Sequence, residues 1–596
     1  MAVAQATGAT ARSGTGGPLR AAHDWLRGSQ PGLVGLALLI GAGAGLGAVV
    51  FRYLILWFTE LFTGRADYSD AGRVASPHFP GLGVFFLLLA PVIGGLLYGP
   101  LVNRFAREAR GHGVPEVMFA VARNRGRIPA RVAVVKSLAS ALCIGSGGSV
   151  GREGPIVQIG SALGSSIGQW LRVPDHRLRL MVACGAAGGI SATFNAPIAG
   201  VFFGLELILR SFSAEAFGVV VLSSVTAAAV GRAVLGSAPF IVLPGFTMHS
   251  PLEYLCYAGL GLLAGLLGWA FARVLYAIED LCDWAWRGPE WLRPAVGGLL
   301  LGGLLLVLPQ MYGVGYPVLE KGVTGGYALG FLLVLLVGKM IATSLTIGIG
   351  GSGGVFAPSL FVGAMGGTAF GMVMQAAFPA LHISPGAYGL VGMAAVFAGA
   401  SHAPITAVLI VFELTGQYSI ILPLMAAVVL ATGMSHLVSR ETIYTLKLLR
   451  RGVDLNADHD AAARPDVLHT LTVGQAMRPL PAPLAASAGH AEIVERLAAA
   501  RYGALPVLDD EGYRGAVTAT ALNGTDDGDR TAVELARDLP PLRADRTLDD
   551  ALDALREHEG TGLPVVAADG GEPIGWLDHR DVLAAYGAAR PEPAPA

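Results

Sequence analysis

Charge is what this chain has least of. Only 14% of its 596 residues are Asp, Glu, Lys or Arg, against about a quarter in an ordinary soluble domain. The scarcity is uneven: no charged residue occurs from Met340 to Phe412, whereas the chain after Asp454 is rich in them. A uniformly soluble chain is excluded, and one membrane domain followed by one soluble domain is the economical reading. Cysteine is also sparse. Cys143, Cys184, Cys256 and Cys282 lack metal-ligand spacing and lie in or beside apolar segments, so they read as small core-filling residues and no metal site is expected. The first thirty residues contain no long apolar core, so no cleavable signal peptide is expected. The net charge of −2 offers no argument for nucleic acid as a partner.

Apolar sequence is what fills the space. Stretches of it recur from about Leu33 to about Val438. Gly81–Val102 and Gly297–Leu308 with its extension read as long enough to span a bilayer, which takes about 20 residues. Gly154–Leu171, Met181–Asn195 and Pro358–Met374 are shorter and broken by Gly or Pro. Such segments imply helices that stop at mid-membrane, where protein or a water-filled cavity must satisfy their ends. Transporters place substrate sites at such ends. Arg12, Arg20 and Arg27 precede the first apolar segment, which places the N-terminus in the cytoplasm.

The stretch most charged with chemistry runs from Gly145 to Pro155 and reads Gly-Ser-Gly-Gly-Ser-Val-Gly-Arg-Glu-Gly-Pro. Its glycines let the backbone approach a ligand closely, and Pro155 suits the first turn of a following helix. The N–H groups and positive dipole end of that turn form an anion site. One carboxylate, Glu153, stands there. Charged, it occupies the anion's place; protonated, it leaves. Two other motifs overlap this region and its counterpart. Gly147-Gly-Ser149-Val-Gly151 matches the nucleophile elbow of serine hydrolases, which would make Ser149 a nucleophile, yet no strand precedes it. Gly348, Gly350 and Gly353 form a lone GxGxxG with no acidic residue in the next fifty positions, which is not a dinucleotide fingerprint.

The chain also repeats itself. Asn195-Ala-Pro-Ile-Ala-Gly-Val-Phe-Phe-Gly-Leu-Glu-Leu207 aligns without a gap on His402-Ala-Pro-Ile-Thr-Ala-Val-Leu-Ile-Val-Phe-Glu-Leu414. Upstream of each lies a glycine-rich loop ending in proline, Arg152-Glu-Gly-Pro155 and Val355-Phe-Ala-Pro358. Two matches in the same order point to duplicated halves that meet at a shared site, often inverted in the membrane.

Four of these signatures carry a family resemblance: Gly111-His-Gly-Val-Pro115, Gly151-Arg-Glu-Gly-Pro155, Gly354-Val-Phe-Ala-Pro358 and Ile443-Tyr-Thr-Leu446. In order and spacing they resemble the anion-pathway motifs of the CLC chloride channel and transporter family, over roughly Leu33 to Arg451. The resemblance implies a homodimer in the cell membrane with one anion pathway per subunit and both termini cytoplasmic. It implies chloride or a similar small anion as substrate, with no cofactor. It places anion coordination at His112, Gly113, Glu153, Gly154, Val355, Phe356 and the Tyr444 hydroxyl, with Glu153 as gate. Several helix ends at about 0.3–2 kcal/mol each offset partial dehydration without trapping the ion.

Two positions depart from the family. The usual serine of the first motif is His112, which either donates an imidazole N–H to the anion or packs away and leaves the backbone to coordinate. The pair of consecutive glutamates common in proton-coupled members is Glu206-Leu207 here, and Leu207 cannot titrate. Glu206 then reads as a structural carboxylate matched by Glu413. A voltage-gated-channel-like conductor with weak or absent proton coupling is the reading. A proton-coupled chloride exchanger is the alternative, and an intramembrane serine hydrolase the rival from another class; no enzyme activity is expected.

Beyond Tyr444 the tail repeats a pattern: Ala504-Leu-Pro-Val-Leu508 with Gly515-Ala-Val-Thr518, and Gly562-Leu-Pro-Val-Val566 with Gly575-Trp-Leu-Asp578. This resembles a tandem pair of CBS modules, which often bind adenosine nucleotides. The family's ribose-binding aspartate is matched by Asp581 but falls on Ala521 in the first copy. The preceding threonine is kept as Thr518 but becomes Asp578 in the second. Structural dimerisation and nucleotide sensing both stand. The expected fold is an all-α polytopic membrane domain, an inverted repeat of short tilted helices, followed by a soluble α/β CBS pair. The expected segments are an N-terminal tail (1–30), a transport domain (31–451), a linker (452–468) and modules at 469–530 and 531–590.

Overall fold

A computed structural model describes residues 29–236, 250–456, 467–500, 503–510, 512–522, 530–558 and 562–589. Arg12, Arg20 and Arg27, nearly all of the N-terminal tail and linker residues 457–466 lie outside these. The chain divides into two compact units after Leu455. The transport domain thus runs slightly past Arg451, because Leu455 is buried and its carbonyl accepts from the Arg210 guanidinium at 3.0 Å.

The first unit is helical. Helix α1 (Gln30–Thr63) starts where the Ser29 hydroxyl accepts from Gly32 N, with Pro31 in the first turn, where its missing N–H is no loss. Helix α2 (Phe86–Phe105) follows. Then come α3 (Val114–Ala122), α4 (Arg131–Gly145), α5 (Glu153–Trp170), α6 (Asp175–Phe194), α7 (Pro197–Phe202, continued by a π-helical turn, Phe203–Leu209) and α8 (Ala214–Leu235). The series then recurs. Helices α9 (Glu253–Ala285) and α10 (Arg293–Val307) answer α1 and α2. Helices α11 (Tyr316–Val323), α12 (Leu329–Gly348), α13 (Phe356–Ala377), α14 (Pro385–Ser401), α15 (Pro404–Thr415) and α16 (Ile421–Val438) answer α3 to α8. A short α17 (Thr445–Leu449) ends the unit. Helix α1 packs on α8 as α9 packs on α16, α5 on α6 as α13 on α14, and α2 on α10 ties one half to the other.

Glycine makes the repeated crossings. A Cβ on Gly160 of α5 would stand 2.1 Å from the Gly185 carbonyl of α6, and one on Gly363 of α13 would stand 2.2 Å from the Gly392 carbonyl of α14. These glycines are close backbone contacts rather than interruptions. Hence Pro358–Met374, read as a broken segment, lies inside the 22-residue α13, which is long and apolar enough to cross a membrane. The converse holds for Gly297–Leu308. Its helix has 15 residues, about 22 Å, short of the ~30 Å hydrocarbon layer. Arg293 starts it, held at 2.5 Å by Asp283.

Among the described residues seven helices are long and apolar enough to span a membrane. Outward-facing Leu255, Leu300 and Leu437 are 73%, 66% and 86% exposed, a surface suited to lipid and costly in water.

The second unit is α/β. Strand β1 is Arg478–Pro479, and β2 (Leu484–Ala485) pairs parallel with β3 (Ala504–Asp509), which pairs antiparallel with β4 (Gly512–Thr518). The second copy repeats this with β5 (Leu542–Arg543), β6 (Leu563–Val566) and β7 (Pro573–Leu577). The copies exchange segments. Strand β1 pairs with β7, and Val473 lies in the core beneath the second sheet. Ala532 and Leu535 lie in the core of the first. A linear boundary at 530/531 therefore cuts through shared structure.

Candidate anion site between helix ends

Three loops converge on one point. Gly111 N donates to Gly351 O at 3.1 Å and Gly353 N to Gly111 O at 3.3 Å; Gly151 N donates to Gly354 O at 2.7 Å and Gly354 N to Gly151 O at 2.6 Å. Gly154 packs so closely on His112 that a Cβ there would lie 1.9 Å from the His112 carbonyl. These backbone contacts join the loop before α3 to the N-termini of α5 and α13. His112, Gly113, Gly154, Val355 and Phe356 all belong to this junction.

Glu153 sits in it, 1% exposed. One carboxylate oxygen accepts from the Tyr316 hydroxyl at 2.7 Å, and the other from Ala357 N, in the first turn of α13, at 3.3 Å. A carboxylate rests where a free anion would meet the positive end of α13. Arg152 lies beside it, its guanidinium 5.8 Å from the centroid of the Phe194 ring and 5.5 Å from that of Tyr316. Phe356 is packed between the rings of Phe194 and Phe397, at 5.8 and 4.4 Å.

Tyr444 is 1% exposed at the start of α17. The preceding carbonyl, of Ile443, accepts from the Tyr276 hydroxyl at 2.6 Å. The Tyr276 ring also meets the His112 ring, 6.2 Å between centroids. His112 is 1% exposed, and neither ring nitrogen has a hydrogen-bond partner among the described residues. Leaving a polar ring buried without partners costs free energy. Both readings of His112 therefore meet the same fact: its nitrogens remain available.

Two cavities are lined by residues whose rings touch this junction, Tyr276 beside His112 and Phe194 beside Phe356. One, of about 350 Å³, is lined by Tyr276, Lys447, Arg450 and Glu279. The other, of about 170 Å³, is lined by Arg52, Phe194, Asn195 and Arg232, with no carboxylate in its wall.

Motif reading missed two lysines and a tyrosine. Lys136 is fully buried and donates to Ala109 O at 2.9 Å and Gly111 O at 2.7 Å; Lys339, also fully buried, donates to Gly313 O at 3.0 Å and Val314 O at 2.9 Å. Each clamps the glycine loop before the first short helix of its own half. Their signal was a lone cation inside an apolar helix. Tyr316 was legible too, because Gly313-Val-Gly-Tyr-Pro317 mirrors Gly111-His-Gly-Val-Pro115.

Ser149 belongs to the same clamps. It is fully buried, its Oγ accepts from Lys339 at 3.0 Å, and its carbonyl accepts from Thr343 at 2.8 Å. Its repeat partner Ser352 donates to Ala109 O at 2.7 Å. A lysine with three acceptors is a structural ammonium, not a base for a nucleophile. The hydrolase reading has no support in this geometry.

Glu206 and Glu413 cap each other's half. Glu206 accepts from Ile405 N at 3.1 Å, Thr406 N at 2.8 Å and Thr406 Oγ1 at 2.7 Å, at the start of α15. Glu413 accepts from Ile198 N at 3.1 Å and Ala199 N at 2.7 Å, at the start of α7. Leu207 is buried in the apolar core. In the tail, Asp581 is 3% exposed and accepts from the Arg478 guanidinium and, at 3.4 Å, from Asp578 N. Thr518 Oγ1 meets Thr520 Oγ1 at 2.9 Å and accepts from Ala521 N at 3.3 Å. Both nucleotide candidates thus make their hydrogen bonds inside the protein.

Fold and junction together define a membrane-embedded anion-transport domain of two repeated halves, followed by a paired α/β tail. The chain belongs to the voltage gated chloride channel family, or CLC family, whose model matches residues 94–436; a CBS domain model matches residues 532–588. A ClcB-like protein from Ralstonia nicotianae is 35% identical over 429 residues, 71% of this chain and 98% of its own. The H(+)/Cl(-) exchange transporter ClcA from Vibrio cholerae is 36% identical over 425 residues, 70% of this chain and 88% of its own. In fold, the chain is similar to a slow cyanobacterial Cl-/H+ antiporter, with a TM-score of 0.64 and 23% identity over 71% of this chain and 99% of that one.

Proposed function

We propose that this chain carries chloride, or an anion of similar size, across the cell membrane through a path gated by Glu153. The observation that carries the reading is the Glu153 carboxylate seated at the N-terminus of α13, accepting from Ala357 N and the Tyr316 hydroxyl. Protonation removes its charge and frees that end of the helix for an anion. The two cavities serve as approaches from either side. His112, Gly113, Gly154, Val355, Phe356 and Tyr444 line the passage. The protein works as a homodimer with one path per subunit and both termini in the cytoplasm. It needs no cofactor and performs no covalent chemistry. The CBS pair is a structural element, since Asp581 and Thr518 are both engaged internally.

Proton coupling is weak or absent in this reading. Leu207 cannot titrate, and Glu206 holds three donors of α15. Obligatory exchange is the second reading, favoured by the relatives named as proton/chloride exchangers. Simultaneous chloride and pH recording on purified protein in liposomes separates the two. Chloride flux that loses its pH dependence in Glu153→Gln, is indifferent to serine-reactive reagents and drives no uphill proton movement supports the proposal. Uphill proton movement establishes exchange instead, and a Glu153→Gln protein with native pH dependence refutes the gate.

A further inference from the structure

The gating carboxylate is held from the opposite half of the repeat by one phenol. Tyr316 opens α11, its Oη 2.7 Å from Glu153 Oε1. Its position is fixed twice over. Lys339 binds the carbonyls of Gly313 and Val314 just before it, and the Arg152 guanidinium lies against its ring. At the corresponding place in the first half stands Val114, which has no donor to offer. The latch is thus a feature of one half only, placed where the carboxylate is.

We propose that Tyr316 is the positioning residue that latches Glu153 in the anion's place and sets the pH at which the path opens. The inference rests on Glu153 being the gate. A hydroxyl donated to a carboxylate favours its charged form, so the latch keeps the gate seated to lower pH. Other groups act on Glu153 as well: Arg152 on its own helix, Lys339 from α12, and Tyr444 at the start of α17. Of the titratable side chains, Tyr316 is the one with a hydrogen bond to the carboxylate among the described residues.

The test is the pH profile of chloride efflux from liposomes containing the full chain. Tyr316→Phe keeps the ring and removes the donor. Its half-activation should move to higher pH by about one unit, the order expected for losing one charge-assisted hydrogen bond. Tyr316→Leu should move the same way, which covers a failure of the Phe variant to fold. In a Glu153→Gln background, Tyr316→Phe should change nothing in the profile, because the group it acts through is gone. A native midpoint in a monodisperse Tyr316→Phe or Tyr316→Leu protein overturns the latch. So does a shift that persists in the Glu153→Gln background. By contrast, native pH dependence in Glu153→Gln alone overturns the gate reading beneath it.

Discussion

Replacing Glu206 by Gln distinguishes a structural carboxylate from a proton relay. The wild-type side chain accepts three hydrogen bonds at the start of α15, from Ile405 N, Thr406 N and Thr406 Oγ1. Gln keeps the shape and one acceptor oxygen. Its amide nitrogen, however, becomes a donor facing donors. Each hydrogen bond to a charged group is worth about 1.5–3 kcal/mol, and a negative charge at a helix N-terminus adds about 0.3–1 kcal/mol at an exposed site. Glu206 is half-buried, so solvent screening reduces both contributions. A net loss of about 2 kcal/mol is expected once that discount is applied. Equilibrium unfolding in a mild detergent measures it, and Glu413→Gln should lose a similar amount at α7, where two such bonds exist. In liposomes Glu206→Gln should leave the ratio of proton to chloride movement unchanged. A Glu206→Gln protein of native stability whose proton movement has vanished would refute the capping argument and restore Glu206 as a relay.

Three other outcomes are expected. His112→Ala removes two buried ring nitrogens that have no partner among the described residues, and should change the chloride-to-nitrate preference roughly fivefold, the worth of about one hydrogen bond; an unchanged preference means the ring faces away from the ion. Lys339→Met leaves the Gly313 and Val314 carbonyls and Ser149 without their donor, and should cost about 3 kcal/mol of stability, read by thermal unfolding in detergent. Removal of the tail near Ala457 should leave chloride flux measurable, because the first compact unit ends at Leu455 and every candidate anion-site residue falls by Tyr444; a folded but inactive truncation contradicts this.

Much of the site was legible from residue order. Helix starts are written locally, in Pro155, Pro197, Pro358 and Pro404 and in the glycines before Pro155 and Pro358, because backbone conformation answers to near neighbours. The duplicated motifs announced two halves, and the lone carboxylate at a helix end marked the candidate gate. The membrane itself was written in the absence of charge. Contact between distant segments was not legible in this way. Whether a glycine breaks a helix or seats another backbone depends on what crosses it, so α13 was misread as interrupted and Gly297–Leu308 as spanning. The exchange of segments between the CBS copies depends on which sheet edge each segment meets.

The residues themselves therefore determined the class of protein, the repeat, the candidate gate and the positions of the helix ends. Only the tertiary structure decided that Glu206 and Glu413 cap each other's halves, that Lys136 and Lys339 clamp the glycine loops, and that Tyr316 reaches Glu153 across 163 positions of chain. A hydrogen bond to a buried carboxylate needs a donor within about 3 Å, and sequence separation says nothing about which donor will arrive there.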